Sequence, residues 1–368
     1  VDDSRVMVFS AAAGAGHVSA ANALKAAFAL RGVQAEHVEV LKYTSSVFRN
    51  IYSKLYLELI EKGPTFLGWV YDATDEPWKH KKRMLALDRL NTRPLKKLIR
   101  EQKPALAVCT HFLPAEILLY LRRKGDIDLP VGIVITDVDA HAMWLYQDTD
   151  WYFVSCEQTK QYLMRLGVEA GRIHVTGIPV LPEFAKQRAK LATRRKLGLD
   201  EKLTTVLVSA GGFGVGPVEA LVKEVCSTEY PLQAAVICGR NEELKRKIEG
   251  MERMRNPVKA VGYTTEMYEW MAASDVMVGK AGGLTSSEAL ASGLVLVIVN
   301  PVPGQEERNS DYFLEKGVAI RCNDLPLLSY KLGELLSDRT RLAAMRSNVK
   351  AIARPNAAVD VVSTVLSS

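Results

Sequence analysis

The stretch Thr205-Val206-Leu207-Val208-Ser209-Ala210-Gly211-Gly212-Phe213-Gly214-Val215-Gly216-Pro217 reads as a strand over 205–209, a glycine loop over 211–216 and a helix from 217 to 226. A short apolar run bounded by turn residues is the pattern of a strand buried on both faces, as in a parallel sheet. Four glycines in six positions leave backbone N–H groups open to phosphate oxygens immediately ahead of a helix start. A flexible turn is the plainer alternative, and the density of glycine argues against it.

The same rhythm extends in both directions. Downstream, strands are expected at 234–238, 259–261, 276–279 and 295–299. Upstream they are expected at 6–9, 36–41, 106–109, 132–136 and 151–154, with helices between, such as 20–30 closed by Gly32. Strands alternating with amphipathic helices make βαβ units, so the fold class is α/β with parallel sheets covered on both faces. A charged stretch at 186–202 separates the two series, and 368 residues suit two cores better than one. The expected domains are 1–185 and 186–350, with 351–368 a terminal helix free to cross back to the first. Open parallel sheets bind ligands outside the carboxyl ends of their strands, so chemistry is expected in the loops that follow strands.

Composition narrows the class without naming a function. Hydrophobic residues at 48% and charged residues at 24% are those of an ordinary globular chain. No apolar run reaches the length of a membrane span, and the start, Val1-Asp2-Asp3-Ser4-Arg5, shows no signal-peptide pattern. Cys109, Cys156, Cys226, Cys238 and Cys322 lie far apart in apolar surroundings, which predicts buried thiols in a reducing cytoplasm. A net charge of +6 suits phosphate-bearing substrates or an anionic membrane, and identifies neither.

Four more post-strand motifs carry candidate chemistry. Ser10-Ala11-Ala12-Ala13-Gly14-Ala15-Gly16-His17 lets a substrate approach the backbone and sets His17 near a helix N-terminus. The helix dipole there disfavours imidazolium, and a neutral imidazole is a general base; a tight turn with an incidental polar residue is the alternative. No Gly-Lys-Ser/Thr follows, and alanine stands where a dinucleotide fingerprint needs its third glycine. Gly279-Lys280-Ala281-Gly282-Gly283-Leu284-Thr285-Ser286-Ser287-Glu288 turns on two glycines into a helix expected to be capped by Thr285 or Ser286. There Glu288 either holds the two hydroxyls of a ribose or closes a capping box with Thr285. Pro301-Val302-Pro303-Gly304-Gln305-Glu306-Glu307-Arg308-Asn309 presents amide and carboxylate groups suited to sugar hydroxyls, or is a solvated helix start. Thr136-Asp137-Val138-Asp139-Ala140-His141, with Trp144, has no recognised metal-ligand spacing, so no metal is expected; His111 follows another strand. Between Tyr43 and Arg83, aromatics that include Tyr52, Tyr56, Phe66, Trp69, Tyr71 and Trp78 precede Lys79-His80-Lys81-Lys82-Arg83. That pairing fits an interfacial, anionic-lipid-seeking surface as well as a core helix pair with a charged edge.

Taken together, G-x-G-H, Thr-Asp…His…Trp, G-G-x-G-x-G, C-G-R-N, K-A-G-G…E and P-G-Q-E resemble the monogalactosyldiacylglycerol synthases and the processive diacylglycerol glucosyltransferases of glycosyltransferase family 28. The resemblance runs from Arg5 to Cys322 and is most specific in K-A-G-G…E and P-G-Q-E. It implies a GT-B fold, with two Rossmann-like domains facing a cleft, the donor held by the second and the acceptor by the first. It implies an inverting transfer of galactose or glucose from a UDP-sugar to the hydroxyl of 1,2-diacylglycerol, without cofactor or metal. His17 is then the candidate base, with Asp137 a second candidate or an orienting group. Gly212 and Gly214 would meet the diphosphate; Gly239, Arg240, Asn241, Gly262 and Tyr263 would flank the uridine. Gly282, Gly283 and Thr285 would cap the phosphates, Glu288 would hold the ribose, and Gln305 and Glu306 would read the sugar. The implied partners are UDP-sugar, diacylglycerol and an anionic membrane surface, with no nucleic acid. The implied location is cytoplasmic, peripheral to the inner face of the cell membrane. Ala13 and Ala15 depart from the plant synthases, and the long plant insertion near the acceptor region is absent, which leaves acceptor and sugar open.

Three other readings share these motifs. One is the N-acetylglucosaminyltransferase of peptidoglycan lipid synthesis, against which Cys238-Gly239-Arg240-Asn241 and Tyr263-Thr264-Thr265-Glu266-Met267 speak by resemblance. Another is a UDP-sugar epimerase of GT-B shape, which would not need the aromatic and basic segment. The third is a catalytically inert UDP-sugar sensor, which would not need His17 and Asp137.

Overall fold

The computed structural model describes residues 5–12, 15–44, 75–78, 92–209 and 217–367. The chain divides into two compact units, Val1–Pro182 with Pro303–Gln305 and Asn356–Ser368, and Glu183–Val302 with Glu306–Pro355.

In the first unit the elements are β1 (Val6–Ser10), α1 (Ala15–Leu30), β2 (Ala35–Glu39), α2 (Arg93–Gln102), β3 (Leu106–Cys109), α3 (Phe112–Arg123), β4 (Val131–Val134), β5 (Trp151–Val154), α4 (Glu157–Arg165) and β6 (Ile173–Val175). The strands form one parallel sheet in the order β2-β1-β3-β4-β5-β6. Successive side chains of a strand point to opposite faces, so β1 feeds two cores. Met7 and Phe9 join Ile117, Leu118 and Ile133 on one face, whereas Val6 and Val8 join Leu24, Phe28, Val361 and Val362 on the other.

The second unit holds α5 (Lys190–Lys196), β7 (Thr204–Ser209), α6 (Val218–Ser227), β8 (Leu232–Ile237), α7 (Glu242–Glu249), β9 (Val258–Val261), α8 (Met267–Ala273), β10 (Val276–Gly279), α9 (Gly283–Ala291), β11 (Val295–Val299), α10 (Gln305–Glu315), β12 (Ala319–Cys322), α11 (Leu328–Ser337) and α12 (Arg339–Ile352). Its strands are again parallel, in the order β12-β11-β10-β7-β8-β9. The last helix, α13 (Ala357–Ser367), belongs to the first unit. It lays Ala358, Val361, Val362 and Val365 into the core shared with α1, and Arg31 donates to the Ser363 hydroxyl at 2.7 Å.

Each sheet reverses its winding once, between β1 and β3 and between β7 and β10. Chains leave such neighbouring strands in opposite directions, which opens a crevice at their carboxyl ends. At the second switch point a Cβ on Gly279 would lie 3.2 Å from the Ser209 carbonyl, so any larger residue would push the two strand ends apart by a few tenths of an ångström. The five cysteines are buried thiols. Among the described residues no helix is long and apolar enough to cross a membrane.

Candidate active site

At the switch point of the first unit, the loop leaving β1 is tied to the end of β2: Ala12 N–H donates to Glu39 Oε1 at 3.1 Å, and Ser10 Oγ meets His37 Nε2 at 2.7 Å. The helix that follows starts at Ala15, five residues before the apolar pattern predicts, because alanine and glycine carry no apolar face to mark it. His17 therefore sits in the first turn of α1. Its Nδ1 lies 2.9 Å from the Thr110 carbonyl oxygen and 2.9 Å from Thr136 Oγ1. A carbonyl only accepts, so Nδ1 carries the proton and Nε2 keeps its lone pair.

The neighbours of that ring are apolar or aromatic. His111 packs edge-on at 4.5 Å between ring centroids and Trp144 lies at 6.4 Å. Crowding withdraws the ring from water although the residue keeps some accessible surface, and burial lowers the His17 pKa from 6.5 to about 4. His111 is held well below 6.5, first by burial and then by His17. Its Nδ1 accepts from the Leu113 N–H at 3.0 Å, capping α3, so it holds the tautomer opposite to that of His17.

Asp137 follows β4 on the same side of the sheet and is partly exposed. His17 is bonded to Thr110 and Thr136, and the carboxylate of Asp137 is not among its partners. The rest of that cluster is engaged locally: His141 Nδ1 accepts from Met143 N–H at 3.1 Å, and Asp75 accepts from Ala142 N–H at 2.8 Å. Among the described residues no three metal-ligating side chains converge.

A stability effect follows from the first-unit imidazole. A histidine held neutral in the fold contributes stability that is complete above 6.5 and is lost as pH falls from 6.5 toward 4, because the unfolded chain takes up the proton first. For His17 the loss by pH 5 is on the order of 2 kcal/mol. Thermal unfolding of wild type and His17→Gln at pH 7.5 and pH 5 should show the stability gap between them shifting against wild type on acidification; an unchanged gap would mean that the ring titrates normally.

In the second unit the loop after β10 enters α9 with Gly282 as the N-cap, not Thr285 or Ser286. The first intrahelical bond runs from Ser286 N–H to the Gly282 carbonyl, which leaves the N–H groups of Gly283, Leu284 and Thr285 pointing out of the helix end. A glycine cap has no side chain to satisfy them, and Thr285 falls in the first turn. The capping box is thereby excluded, since Glu288 stands one turn further on and takes no bond from a cap residue. No side-chain hydrogen bond or ion pair reaches the Glu288 carboxyl among the described residues, and burial raises its pKa from 4.5 to about 8. Glu288 keeps some accessible surface, so this crowded carboxyl without a protein partner is open to donors from outside the chain.

The opening turn of α10 closes over the same loop. Glu306 Oε2 accepts from Val302 N–H at 2.7 Å, and its Oε1 lies 3.7 Å from where a Cβ on Gly282 would stand. Burial raises the Glu306 pKa, with Lys280 opposing. Asn309, fully buried, donates to the Ala281 carbonyl at 3.0 Å. Gln305 opens α10, and its side chain makes no hydrogen bond among the described residues.

After β8 the chain turns at Gly239, whose φ of +60° favours glycine, and Asn241 caps α7 by accepting from Leu244 N–H at 2.9 Å. Arg240 lies over the ring of Tyr263, 4.9 Å from its centroid, although Tyr263 is 61% exposed. A Cβ on Gly262, beside it, would come 3.4 Å from Glu242 Oε1. The loops after β8 and β9 thus meet, as do Gly282 and Glu306 after β10 and β11, with Gly283, Thr285 and Glu288 following Gly282 along α9. Gly212 and Gly214 lie outside the described residues, as do Tyr52, Tyr56, Phe66, Trp69, Tyr71 and residues 79–83. The residues given no role from sequence are Thr110, Thr136 and Asn309; each works through bonds to residues distant in the chain, which no local pattern announces.

Comparison with known proteins places this arrangement. Residues 17–180 match the model of the monogalactosyldiacylglycerol (MGDG) synthase family, and residues 205–361 match that of the glycosyltransferase family 28 C-terminal domain. A processive diacylglycerol beta-glucosyltransferase of Bacillus cereus (strain AH187) is 31% identical over 370 residues, covering 100% of this chain and 94% of the relative. That of Bacillus pumilus is 29% identical, covering 95% of this chain and 91% of its own. The chain belongs to the processive diacylglycerol β-glucosyltransferase and MGDG synthase family. His17 is the first residue of the MGDG synthase match, and the α9 and α10 loops fall within the family 28 domain. Solved structures agree on the fold, which is GT-B. MurG of Acinetobacter baumannii aligns with a TM-score of 0.64 at 17% identity, over 99% of this chain and 100% of its own. CalG4, the calicheamicin glycosyltransferase, aligns at 0.60 and 16%, over 100% and 99%.

Proposed function

We propose that this member of the family transfers glucose or galactose from a UDP-sugar to the free hydroxyl of 1,2-diacylglycerol with inversion, giving a β-glycosyl diacylglycerol. Full-length relatives named for that reaction on a glucosyl donor support the substrates and favour glucose. One observation carries the chemistry: the Nδ1–H of His17 is engaged, so its Nε2 keeps a lone pair as a neutral base. In the step proposed, Nε2 takes the acceptor hydroxyl proton and the oxygen attacks C1 of the sugar. The C1–O bond to the diphosphate breaks with its electron pair going to UDP, and an α-linked donor gives a β-linked product.

On this reading the first unit binds the acceptor and the second the donor. The negative charge growing on UDP is met by the N–H groups of Gly283, Leu284 and Thr285 at the start of α9, with Gly212 and Gly214 contributing from the loop after β7. Glu288 accepts the ribose hydroxyls. Gly239, Arg240, Asn241, Gly262 and Tyr263 flank the base, and Gln305 and Glu306 face the sugar. Asp137 is the reserve candidate for the proton.

The test is incubation with diacylglycerol vesicles and UDP-glucose, UDP-galactose or UDP-N-acetylglucosamine in turn, with the lipid products identified by mass and sugar analysis. A monohexosyl or oligohexosyl diacylglycerol supports the reading. Absence of any glycolipid from diacylglycerol, with transfer of N-acetylglucosamine to a lipid-linked muramyl acceptor, overturns it.

The acceptor lives in a bilayer, so the proposal includes docking on an anionic inner membrane face. Residues 79–83 supply one basic cluster, and α2 adds Arg93, Lys97 and Arg100 on its exposed side. Each such cation contributes about 1 kcal/mol near an anionic surface. Neutralising Lys79, Lys81, Lys82 and Arg83 together should therefore cut sedimentation with phosphatidylglycerol vesicles by at least about tenfold. Unaltered co-sedimentation would remove this cluster from the docking surface.

A further inference from the structure

We infer that Thr136 is a positioning residue for the transfer, its hydroxyl and the Thr110 carbonyl together holding the His17 ring with Nε2 turned to the acceptor. The inference rests on the reading of His17 as the base and adds the device that aims it. Thr110 grips His17 twice: its hydroxyl donates to the His17 carbonyl at 2.8 Å, and its own carbonyl takes the ring N–H. Thr110 is itself fixed at the end of β3, where its N–H donates to the Phe9 carbonyl at 2.9 Å. Thr136 lies two residues beyond β4, is 4% exposed, and follows Ile135, whose N–H donates to the Phe153 carbonyl at 3.0 Å. Three strand ends, those of β1, β3 and β4, thus converge on one imidazole.

The two partners play different parts. A threonine hydroxyl donates or accepts, so Thr136 alone would tolerate either tautomer. The Thr110 carbonyl admits only Nδ1–H, since a bare Nδ1 would set two lone pairs 2.9 Å apart. Thr136 then accepts the second half of the same N–H and fixes the ring plane. Both oxygens are neutral, whereas a carboxylate in either place would favour imidazolium. Among the described residues, the titratable group facing the ring from another element is His111, the N-cap of α3, itself held neutral; α1 brings no charged side chain against it, and Asp137 is not bonded to it. The base thus stays proton-free across the neutral range because burial disfavours the imidazolium and its holders bring no negative charge to offset that.

The experiment uses the full chain with Thr136→Val, Thr136→Ser and Thr136→Asp. Steady-state transfer from UDP-glucose is measured across pH, and the His17 tautomer is read by nitrogen-15 NMR of the imidazoles. Thr136→Val should lower kcat about tenfold with KM for UDP-glucose unchanged, and Thr136→Ser should restore it. Thr136→Asp should move the acid limb of the rate profile up by about one pH unit or more. A Thr136→Val enzyme with wild-type kcat, pH profile and Nδ1 signal overturns the inference. So does one that loses kcat, KM and thermal stability together while the Nδ1 signal stays put, since that marks packing alone. The proton should remain on Nδ1 in Thr136→Val, held by the Thr110 carbonyl, while the Nδ1 shift moves with the lost bond, so NMR reads the positioning without any turnover; full activity in His17→Ala would instead strike the base reading, so the two failures are told apart.

Discussion

Replacing His17 by alanine should lower the rate of glycolipid formation by about 10²–10⁴-fold, the range a positioned general base contributes. The dissociation constant for UDP should stay within about twofold, since the groups proposed to hold the nucleotide all belong to the second unit. The imidazole offers a free Nε2, two bonds that hold Nδ1, and a pKa lowered to about 4. A diacylglycerol hydroxyl is a weak acid, so attack on the sugar requires the proton to leave as the new bond forms, and a protonated ring could not take it. The check is single-turnover transfer with saturating UDP-glucose, beside UDP titration by calorimetry. Retention of more than about a tenth of wild-type kcat in His17→Ala would sink the assignment and move attention to Asp137. Loss of UDP affinity in step with the rate would instead indicate a damaged fold, which thermal unfolding would reveal.

The parts of the fold legible in the sequence were those whose burial is complete. The strands at 106–109, 151–154, 276–279 and 295–299 fall on β3, β5, β10 and β11 residue for residue, because each is an interior strand covered on both faces. Two of the four edge strands, β6 and β12, escape the sequence reading, whereas the edge strands β2 and β9 do not: β6 and β12 are each short, half open to solvent, and broken by a polar residue, His174 or Arg321. The strand expected at 36–41 ends instead at Glu39 and turns into a 3-10 helix over Val40–Tyr43, whose apolar residues are buried as a strand's would be. Composition cannot separate the two.

The candidate sites show the same divide. Glycines, His17 and Glu288 announce themselves because they sit in the loops and opening helical turns directly after strands. The helix starts were misplaced in both units for one reason: Ala15, Gly16, Gly282 and Gly283 are too small to show a periodic face. Moving the start of α9 back to Gly283 changes the chemistry read from it, since Thr285 and Glu288 cease to be a capping pair and Glu288 is left without a backbone partner. The bonds from Thr110 and Thr136 to His17 span 93 and 119 residues of sequence and depend on the strand order, which spacing does not reveal.

That unpartnered carboxyl makes the second large prediction. Glu288→Ala should weaken UDP binding about 30–100-fold, the worth of one strong charge-assisted bond or two weaker ones, with kcat at saturating donor little changed. The wild-type affinity should also rise with pH. Burial holds the free carboxyl protonated until about pH 8, and only the ionised form accepts from both ribose hydroxyls, so binding favours ionisation and releases a proton below that point. Calorimetry in buffers of different ionisation enthalpy counts that proton directly. Glu288→Gln should release none and show no pH dependence between pH 7 and pH 9, where the last phosphate ionisation of UDP is already largely complete. The empty protein gives a matching signature of opposite benefit. Because the folded carboxyl titrates at about 8 rather than 4.5, its stability contribution is intact below 4.5 and is lost as pH rises toward 8. Glu288→Gln should therefore unfold at a higher temperature than wild type at pH 8, with the advantage vanishing below pH 4.5. If Glu288→Gln matches wild type in UDP affinity and in the pH course of both measurements, the carboxyl neither holds the ribose nor is withdrawn from water. If only the stability course separates them, the group is buried as described but the ribose is held elsewhere along the α9 and α10 loops.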